Sequence, residues 1–420
     1  MNRRNFIKSG AAISGLSVFG SFEEVLAQTT GPIKIGLMAP LTGVLAAGGK
    51  EIVEGFTMYW ESIGKKVAGR DIQIFIEDDA SNPDIALQKA RKLAEQNQVD
   101  FLVGNLLANT GLAVAEYAKT SGIPYFIPVI AADDLTQRTR IPNVIRIAGY
   151  TASQTSHPLG DYAYKTLGYR KIVTISQDYT FGHEQCGGLV QVFTELGGQV
   201  LNQFWNPLNT QDFSPYFAQI QALKPDAVFV METGADGLRF LQQWTNFGLK
   251  GKIPLLCAQN TTDQSVIRSL NSGEADGLIS AAHFAEGAPN VQTQKFVADY
   301  LIAHNHFPSI YGFSHYVAAI WIAKAIAKVD GNISNRPKFL EAIRGTVLED
   351  SPLGRPVKLD TYGNPIYDVF IRKVTKRSDG KYWNVPIETY PGVSQFWKYK
   401  PEEYLKQPPY SRTFQGIKKI

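Results

Sequence analysis

The chain has 420 residues, more than one ordinary hydrophobic core holds, so its length predicts two lobes. Apolar residues make up 44% of the chain and charged residues 19%, which is the balance of a globular protein. The formal net charge of +4 is small and evenly spread, which argues against a nucleic acid as partner.

The amino terminus has the pattern of an export signal. Paired Arg3 and Arg4 precede a weakly apolar run over residues 9–20, and small residues follow up to Ala27. This order predicts a signal peptide over residues 1–27, and the arginine pair predicts the twin-arginine route to the periplasm. A buried first helix is the alternative, which the short, glycine-rich run disfavours. Beyond this leader we expect no run apolar enough to span a membrane.

From residue 33 onward, short β-branched runs alternate with helical patterns. Strands are predicted over 33–38, 72–76, 100–104 and 124–127, and helices over 50–63, 83–97 and 111–121. The same rhythm returns with strands over 171–175, 200–204, 227–231 and 253–257, and with helices over 182–196 and 213–223. Strands that alternate with helices of this length are typical of βαβ units on parallel sheets.

The last third of the chain predicts a return to both lobes. Helices are predicted over 291–305 and 309–329, and strands over 366–374 and 382–388. We therefore expect an α/β fold of two doubly wound parallel-sheet lobes joined by a hinge of three crossings. The first lobe is predicted to hold residues 31–149 and 281–352, and the second 150–280 and 353–398. Residues 399–420 are predicted to form an extended tail on the surface.

Four short segments lie at or after the ends of predicted strands, and a fifth lies late in the chain. They are Pro40-Leu41-Thr42-Gly43, the segment 78–83, Val103-Gly104-Asn105, Tyr179-Thr180-Phe181-Gly182 and the segment 390–396. In this order, over residues 33–397, the chain resembles the type I periplasmic substrate-binding proteins of ABC importers, in the leucine/isoleucine/valine-binding branch. The resemblance implies two lobes that close on a small molecule and then dock on an inner-membrane permease.

Ligands of open α/β sheets bind beyond the carboxyl ends of the strands, where helix N-termini favour an anion. In amino-acid binders of this family the loop after the third strand grips the ligand carboxylate, and here it supplies Asn109 and Thr110. Thr110 has an alternative role as a helix cap. The next loop supplies Ala131 and Ala132, which offer backbone N–H groups only.

Aromatic residues are expected to form the other wall of the cleft. The resemblance places Tyr179 and Phe181 on a ligand loop of the second lobe, although they could instead be packed loop anchors. Tyr150 is expected beside them, and Thr233 is expected to contact the ligand from another strand end. Gly48 lies where relatives carry an aromatic residue, which predicts a wider pocket.

Gln259 is the main departure from the amino-acid binders, which place an acidic residue there to pair with the ligand ammonium. Burying an ammonium without a carboxylate partner is costly. We therefore expect an aromatic or otherwise apolar carboxylate as the ligand. Glu232 and Asp236 could supply the missing charge, so a branched-chain amino acid stays an alternative, as do an amide or urea and a role as a soluble ligand sensor.

Several patterns predict no chemistry. His304 and His306 lack a third ligand, so we expect no metal, and no nucleotide motif or nucleophile–base pair indicates an enzyme or a cofactor. Cys186 and Cys257 are expected to be buried free thiols, with one disulfide as the alternative. The expected partners are a small molecule and an ABC permease, and the protein itself is expected to be a monomer.

Overall fold

The structure is a computed structural model that describes residues 31–270 and 273–417. The predicted signal peptide over residues 1–27 lies outside the described residues. The first sheet has the strand order β2-β3-β1-β4-β5-β6. Its strands are β1 (Ile33–Ala39), β2 (Lys66–Val67), β3 (Arg70–Asp78), β4 (Phe101–Gly104), β5 (Tyr125–Phe126) and β6 (Val144–Ile145). The central strand β1 is parallel to both neighbours, with Ile35 opposite Ile74 on β3 and Phe101 on β4.

Helices α1 (Ala46–Ser62), α2 (Pro83–Arg91) and α3 (Ala108–Ser121) connect these strands. Asn82 caps α2, because its side chain accepts hydrogen bonds from the N–H groups of Asp84 and Ile85. A turn of π-helix over Lys92–Gln96 extends α2. The connections place α1 and α3 at the carboxyl ends of β1 and β4.

The second sheet has the order β13-β12-β11-β10-β9-β7-β8. Its strands are β7 (Lys171–Gln177), β8 (Gln199–Asn206), β9 (Ala227–Met231), β10 (Leu255–Ala258), β11 (Ile279–Ala282), β12 (Tyr367–Lys376) and β13 (Tyr382–Val393). Its helices are α4 (Ala152–Lys165), α5 (Thr180–Glu195), α6 (Ser214–Leu223), α7 (Ala235–Asn246) and α8 (Gln264–Ile267). Strand β12 runs antiparallel to β11 and β13, and in the first sheet β2 runs antiparallel to β3. Both sheets are thus mixed but mainly parallel, and the predicted fold class is confirmed.

After β11 the chain returns to the first sheet as α9 (Val291–His304), α10 (Ile310–Lys328) and α11 (Arg336–Arg344). Helix α10 packs closely on α1, where a Cβ on Gly55 would lie 2.0 Å from the Gly312 carbonyl oxygen. By length and composition α10 alone among the described helices passes for a membrane span, contrary to the sequence-based expectation. Of that apolar stretch, 78% is buried inside the protein, as in a core helix.

Three crossings connect the two sheets, and each contributes one aromatic ring to a stack. Tyr150 lies between β6 and α4, His283 lies between β11 and α9, and Tyr367 begins β12. The ring of His283 is 4.9 Å from that of Tyr150 and 5.1 Å from that of Tyr367. We call these three rings the hinge stack. The exact boundaries of the two lobes stay a prediction.

The remaining chain forms a short helix α12 (Pro401–Tyr404) and an ordered tail up to residue 417. Phe396, Tyr404 and Tyr410 are buried and form a small core between this tail and the rest of the protein. Cys186 and Cys257 are both buried and free, as predicted.

Candidate functional site

The carboxyl ends of the strands in the two sheets face each other across a closed cleft. The Thr180 hydroxyl in the second lobe donates to Asn109 Oδ1 in the first lobe over 3.3 Å. The N–H of Ala235 donates to the Val44 carbonyl over 3.3 Å, again between the lobes. The structure therefore shows the lobes in contact at the edge of the cleft, with the space between strand ends shielded from solvent.

The amino terminus of α3 presents free hydrogen-bond donors to this cleft. Leu107 precedes the helix and provides no side-chain cap, and no acceptor among the described residues bonds the N–H groups of Ala108, Asn109 and Thr110. Thr110 is fully buried and its hydroxyl donates to the Leu107 carbonyl over 2.7 Å, so its proton is committed locally. Buried N–H groups at a helix N-terminus form a site for an anion.

Several other helices also lack a side-chain cap, among them α1, α5, α6 and α7. Helices α2, α9 and α10 are capped by Asn82, Asn290 and Ser309, although α10 begins beside the cleft at Tyr311. A missing cap is therefore not specific to the cleft, and the case for α3 rests on its buried N–H groups without acceptors.

The loop with Ala131 and Ala132 is held by a buried arginine. The Arg146 guanidinium donates from Nε to the Ile130 carbonyl over 3.1 Å and from its terminal nitrogen to the Ala132 carbonyl over 2.5 Å. Both alanines are 2% exposed, and their N–H groups have no acceptor among the described residues. These two N–H groups are thus free to donate to a ligand, as their predicted role requires.

Aromatic side chains from both lobes and the hinge surround these donors. Tyr150, Tyr179 and Phe181 are 1%, 7% and 5% exposed, and the rings of Tyr179 and Phe181 are 6.2 Å apart. Burial raises the pKa of the Tyr150 and Tyr179 phenols, opposed by the nearby amide of Asn260 and hydroxyl of Thr233, respectively. Both phenols stay neutral and can donate a hydrogen bond to a ligand.

Gln259 and Thr233 close the cleft from the second sheet. Thr233 is 1% exposed, and its hydroxyl donates to the Met231 sulfur over 3.7 Å and lies beside the Tyr179 phenol. Gln259 is fully buried, and its side-chain amide lies beside the Tyr150 phenol but makes no hydrogen bond of good geometry among the described residues. A buried amide left without a partner costs about 1–3 kcal/mol, so this position favours a ligand with polar groups.

The two acidic residues that could have replaced a glutamate at 259 already have other interactions. Asp236 pairs with Arg239, and its other oxygen accepts from Gln177 and from the Asn209 N–H. Glu232 accepts from the Asn206 side chain over 3.3 Å, and burial raises its pKa well above its ordinary value, with the Asp236 charge adding to this. Arg239 thus balances the Asp236 charge, and the raised pKa of Glu232 favours its uncharged form.

Two features of the cleft were not predicted from the sequence. Tyr311 in the first turn of α10 is 1% exposed and accepts a hydrogen bond from the Asn260 side chain over 2.9 Å. A Cβ on Gly48 would lie 2.8 Å from the Tyr311 ring, so this ring fills the space that was predicted to widen the pocket. The prediction of a wider pocket at Gly48 is therefore wrong. The signal in the sequence was a glycine near the start of a helix, which indicates that a bulky side chain packs against it.

The two neighbouring histidines at the end of α9 lie beside an acidic side chain. His304 and His306 are half-buried and lie beside Glu54, with His306 Nε2 at 3.3 Å from its carboxylate. Among residues 31–270 and 273–417, no group of three or more His, Cys, Asp or Glu side chains has the arrangement of a metal site.

Comparison with known proteins agrees with this geometry. The profile of the family described as periplasmic binding protein matches residues 32–381. A Leu/Ile/Val-binding protein homolog 6 from Brucella melitensis is 26% identical over 388 residues, which cover 90% of this chain and 96% of that protein. An ABC transporter substrate-binding protein from Sphaerobacter thermophilus is 29% identical with a TM-score of 0.80, covering 87% of this chain and 99% of that one.

Two similar solved structures have ligands named with them. A solute-binding protein from R. palustris, solved in complex with benzoate, is 27% identical with a TM-score of 0.80, covering 86% of this chain and 97% of that one. Another from Rhodopseudomonas palustris BisB5, in complex with 3,4-dihydroxybenzoic acid, is 28% identical with a TM-score of 0.81, covering 87% and 98%. The chain therefore belongs to the periplasmic binding protein family, as a small-molecule-binding ABC-transporter component and not an enzyme.

Proposed function

We propose that the cleft binds an aromatic or similarly apolar monocarboxylate. The observation that carries this proposal is the uncapped, buried amino terminus of α3, where the N–H groups of Ala108, Asn109 and Thr110 lack acceptors. A carboxylate fits these donors and the adjacent N–H groups of Ala131 and Ala132.

The apolar part of the ligand would lie against Tyr150, Tyr179 and Phe181, whose rings offer a buried aromatic surface. Gln259 and Thr233 are neutral hydrogen-bonding groups, suited to ring substituents more than to an ammonium. The benzoate and 3,4-dihydroxybenzoic acid complexes of two similar proteins support this ligand class.

The proposed mechanism is closure of the two lobes on the ligand. The carboxylate would be held by the first lobe and the ring by Tyr179 and Phe181 of the second, so binding shifts the population toward the closed form. The closed monomer would then dock on an inner-membrane permease. We place this in the periplasm after export by the twin-arginine route and removal of residues 1–27.

A branched-chain amino acid is the second candidate, favoured by the names of the curated relatives. It requires a partner for the ligand ammonium, whereas Asp236 is paired with Arg239 and burial raises the pKa of Glu232, which favours its uncharged form. An amide or urea is the third candidate, and the neutral Gln259 is what favours it.

The test begins with the mature protein purified from the periplasm and native mass spectrometry of what it carries. After unfolding and refolding without ligand, calorimetry would follow with benzoate, leucine and acetamide. Tight binding of benzoate with no heat from leucine is expected. Tight leucine binding without benzoate binding would overturn the proposal, and binding of acetamide alone would assign the cleft to amides.

A further inference from the structure

A second cavity lies behind the hinge, apart from the strand ends that form the cleft. Its volume is about 340 Å³, in the range of small-molecule sites. Two of its lining residues, His283 and Tyr367, belong to the hinge stack, and Arg355 and Lys358 lie on the segment that leads into β12. The cavity is therefore built from the crossings themselves.

The inner surface is mostly apolar, with Leu353, Val357 and Phe370 beside the ring of Tyr367. Two buried polar atoms of the lining residues have no partner among the described residues. These are Tyr367 Oη, in a residue 3% exposed, and His283 Nδ1, in a residue 1% exposed. Nearly all buried polar atoms in proteins have a partner, so these two need one from a water or a ligand.

The mouth of the cavity carries a net positive charge. Arg355 forms an ion pair with Asp368, which neutralises both groups. Lys358 also lines the cavity, is exposed, and has no ion-pair partner among residues 31–270 and 273–417. An unbalanced ammonium at the rim of an apolar cavity favours a small molecule with an apolar body and one negative charge.

The hinge stack links this cavity to the cleft. Tyr150 lines the proposed ligand site, and its ring is 4.9 Å from the ring of His283, which lines the hinge cavity. Tyr367 is 5.1 Å from the other side of the stack. A molecule held against His283 and Tyr367 therefore touches two of the three crossings that connect the lobes.

We propose that the hinge cavity is a second binding site for a small apolar monocarboxylate, with its carboxylate at Lys358 and its body among Leu353, Val357 and Phe370. It is distinct from the cleft and does not depend on which ligand the cleft takes. Since Lys358 at its mouth is exposed to water, the hinge cavity should bind more weakly than the buried cleft.

The test is equilibrium dialysis of the mature protein against radiolabelled benzoate over a wide concentration range. Two molecules per chain are expected, the second binding more weakly. Lys358→Glu should weaken the second event about tenfold or more through charge reversal and leave the first within twofold. Ile366→Trp, which fills the cavity from a half-buried position, should abolish the second event. Lys338→Glu, an exposed charge reversal on α11, is the matched control and should change neither event.

The outcomes separate this inference from the proposed cleft function. One molecule per chain, lost in Phe181→Ala and unchanged in Lys358→Glu, would overturn the hinge site and leave the cleft proposal standing. One molecule per chain, lost in Lys358→Glu and unchanged in Phe181→Ala, would support the hinge site and overturn the aromatic cleft ligand. No bound benzoate at any concentration would overturn both.

Discussion

Gln259 follows β10 with a fully buried side-chain amide that makes no hydrogen bond of good geometry to the described residues. In the proposed ligand site, Gln259 is the residue that we expect to set the charge of the ligand. A neutral amide tolerates a monoanion in the cleft, whereas a carboxylate at the same position would repel it.

Gln259→Glu should therefore exchange one ligand class for another. Benzoate affinity should fall about tenfold or more, equivalent to about 1.4 kcal/mol, because a second buried negative charge opposes the ligand carboxylate. Leucine binding should appear or strengthen, because its ammonium gains a partner. Titration calorimetry of both ligands measures the exchange.

Gln221→Glu, an exposed substitution of the same type on α6, is the control and should change neither affinity. Unchanged benzoate binding in Gln259→Glu would place residue 259 outside the ligand site.

The site residues differ in how far the sequence could find them. Asn109, Thr110, Tyr179 and Gln259 follow recognisable strands, so their convergence at one edge is predictable from parallel-sheet geometry. Tyr311 enters the cleft from α10, a helix of the returning segment, and its contact with Gly48 joins residues far apart in the chain. No local pattern encodes such a contact, because it depends on how α10 packs against α1.

At the scale of elements, an ion pair connects α1 of the first lobe with the end of α8 in the second. Glu51 Oε1 is 2.6 Å from the Arg268 guanidinium, and Glu51 Oε2 accepts from the Ser309 N–H over 2.7 Å. The Glu51 side chain is fully buried, and burial raises its pKa to about 7 although Arg268 opposes that rise. The Arg268 side chain keeps 27% exposure, so the two partners differ in their access to water.

This asymmetry predicts unequal effects of removing each partner. Arg268→Gln leaves a buried carboxylate without its cation, which should weaken closure and reduce ligand affinity about tenfold or more. Glu51→Gln leaves Arg268 able to reach water and keeps an acceptor for Ser309, so its effect should be only a few-fold. The double variant should resemble Glu51→Gln, and a double-mutant cycle on the Kd measures the coupling.

Lys50→Gln is the control in the same helix, since the Lys50 side chain is exposed and its nitrogen lies 3.6 Å from the mostly buried Glu54 carboxylate. A long ion pair to an exposed lysine contributes little, so the Kd should stay unchanged. Equal losses in Arg268→Gln and Lys50→Gln would contradict a specific role of the interlobe pair.

The elements themselves were predictable where burial gives a simple pattern. Strands β1, β4, β7 and β9 lie within about two residues of their predicted limits, because buried parallel strands are continuous β-branched runs. Helix α4 was missed. It contains Pro158 and buries polar residues such as Gln154 and His157, which are unusual inside a buried helix, so its composition does not indicate a core helix.

On the scale of the whole molecule, the tail connects both lobes at the back of the hinge. Arg138 of the first lobe donates to the carbonyls of Tyr404 and Gln407 over 3.1 and 2.9 Å. In the second lobe, His157 Nε2 is 3.2 Å from the Tyr410 hydroxyl. The tail after Tyr399 is thus packed into the folded protein. Its composition had predicted only an extended segment on the surface.

The burial of His157 beneath this tail predicts a pH effect on stability. Burial lowers the pKa of His157 to about 3, against an unfolded value of about 6.5. Its contribution is fully present above pH 6.5 and is lost as the pH falls toward 3, because the unfolded chain takes up a proton that the folded chain refuses. The slope is about 1.4 kcal/mol per pH unit.

His157→Gln should lower the pH dependence of the unfolding free energy between pH 4 and 6 by about 1.4 kcal/mol per pH unit, the slope that one proton causes. Urea titration at each pH measures this slope. His315→Gln should lower the slope by the same amount, since burial also lowers the pKa of His315 to about 3. A flattened slope in His315→Gln but not in His157→Gln would mean that the tail admits water to His157 in the folded protein.

The contact between Tyr410 and Gly187 tests whether the tail is packed as tightly as this burial requires. A Cβ on Gly187 would lie 2.3 Å from the Tyr410 ring, so no larger residue fits on this face of α5 while the tail is in place. Gly187→Val should cost about 1–3 kcal/mol of unfolding free energy through overpacking. In a Tyr410→Ala background the same substitution should cost much less, because the ring it meets is gone. Urea unfolding of the four proteins in this cycle gives the coupling, and additive losses would show that the tail leaves α5 in solution.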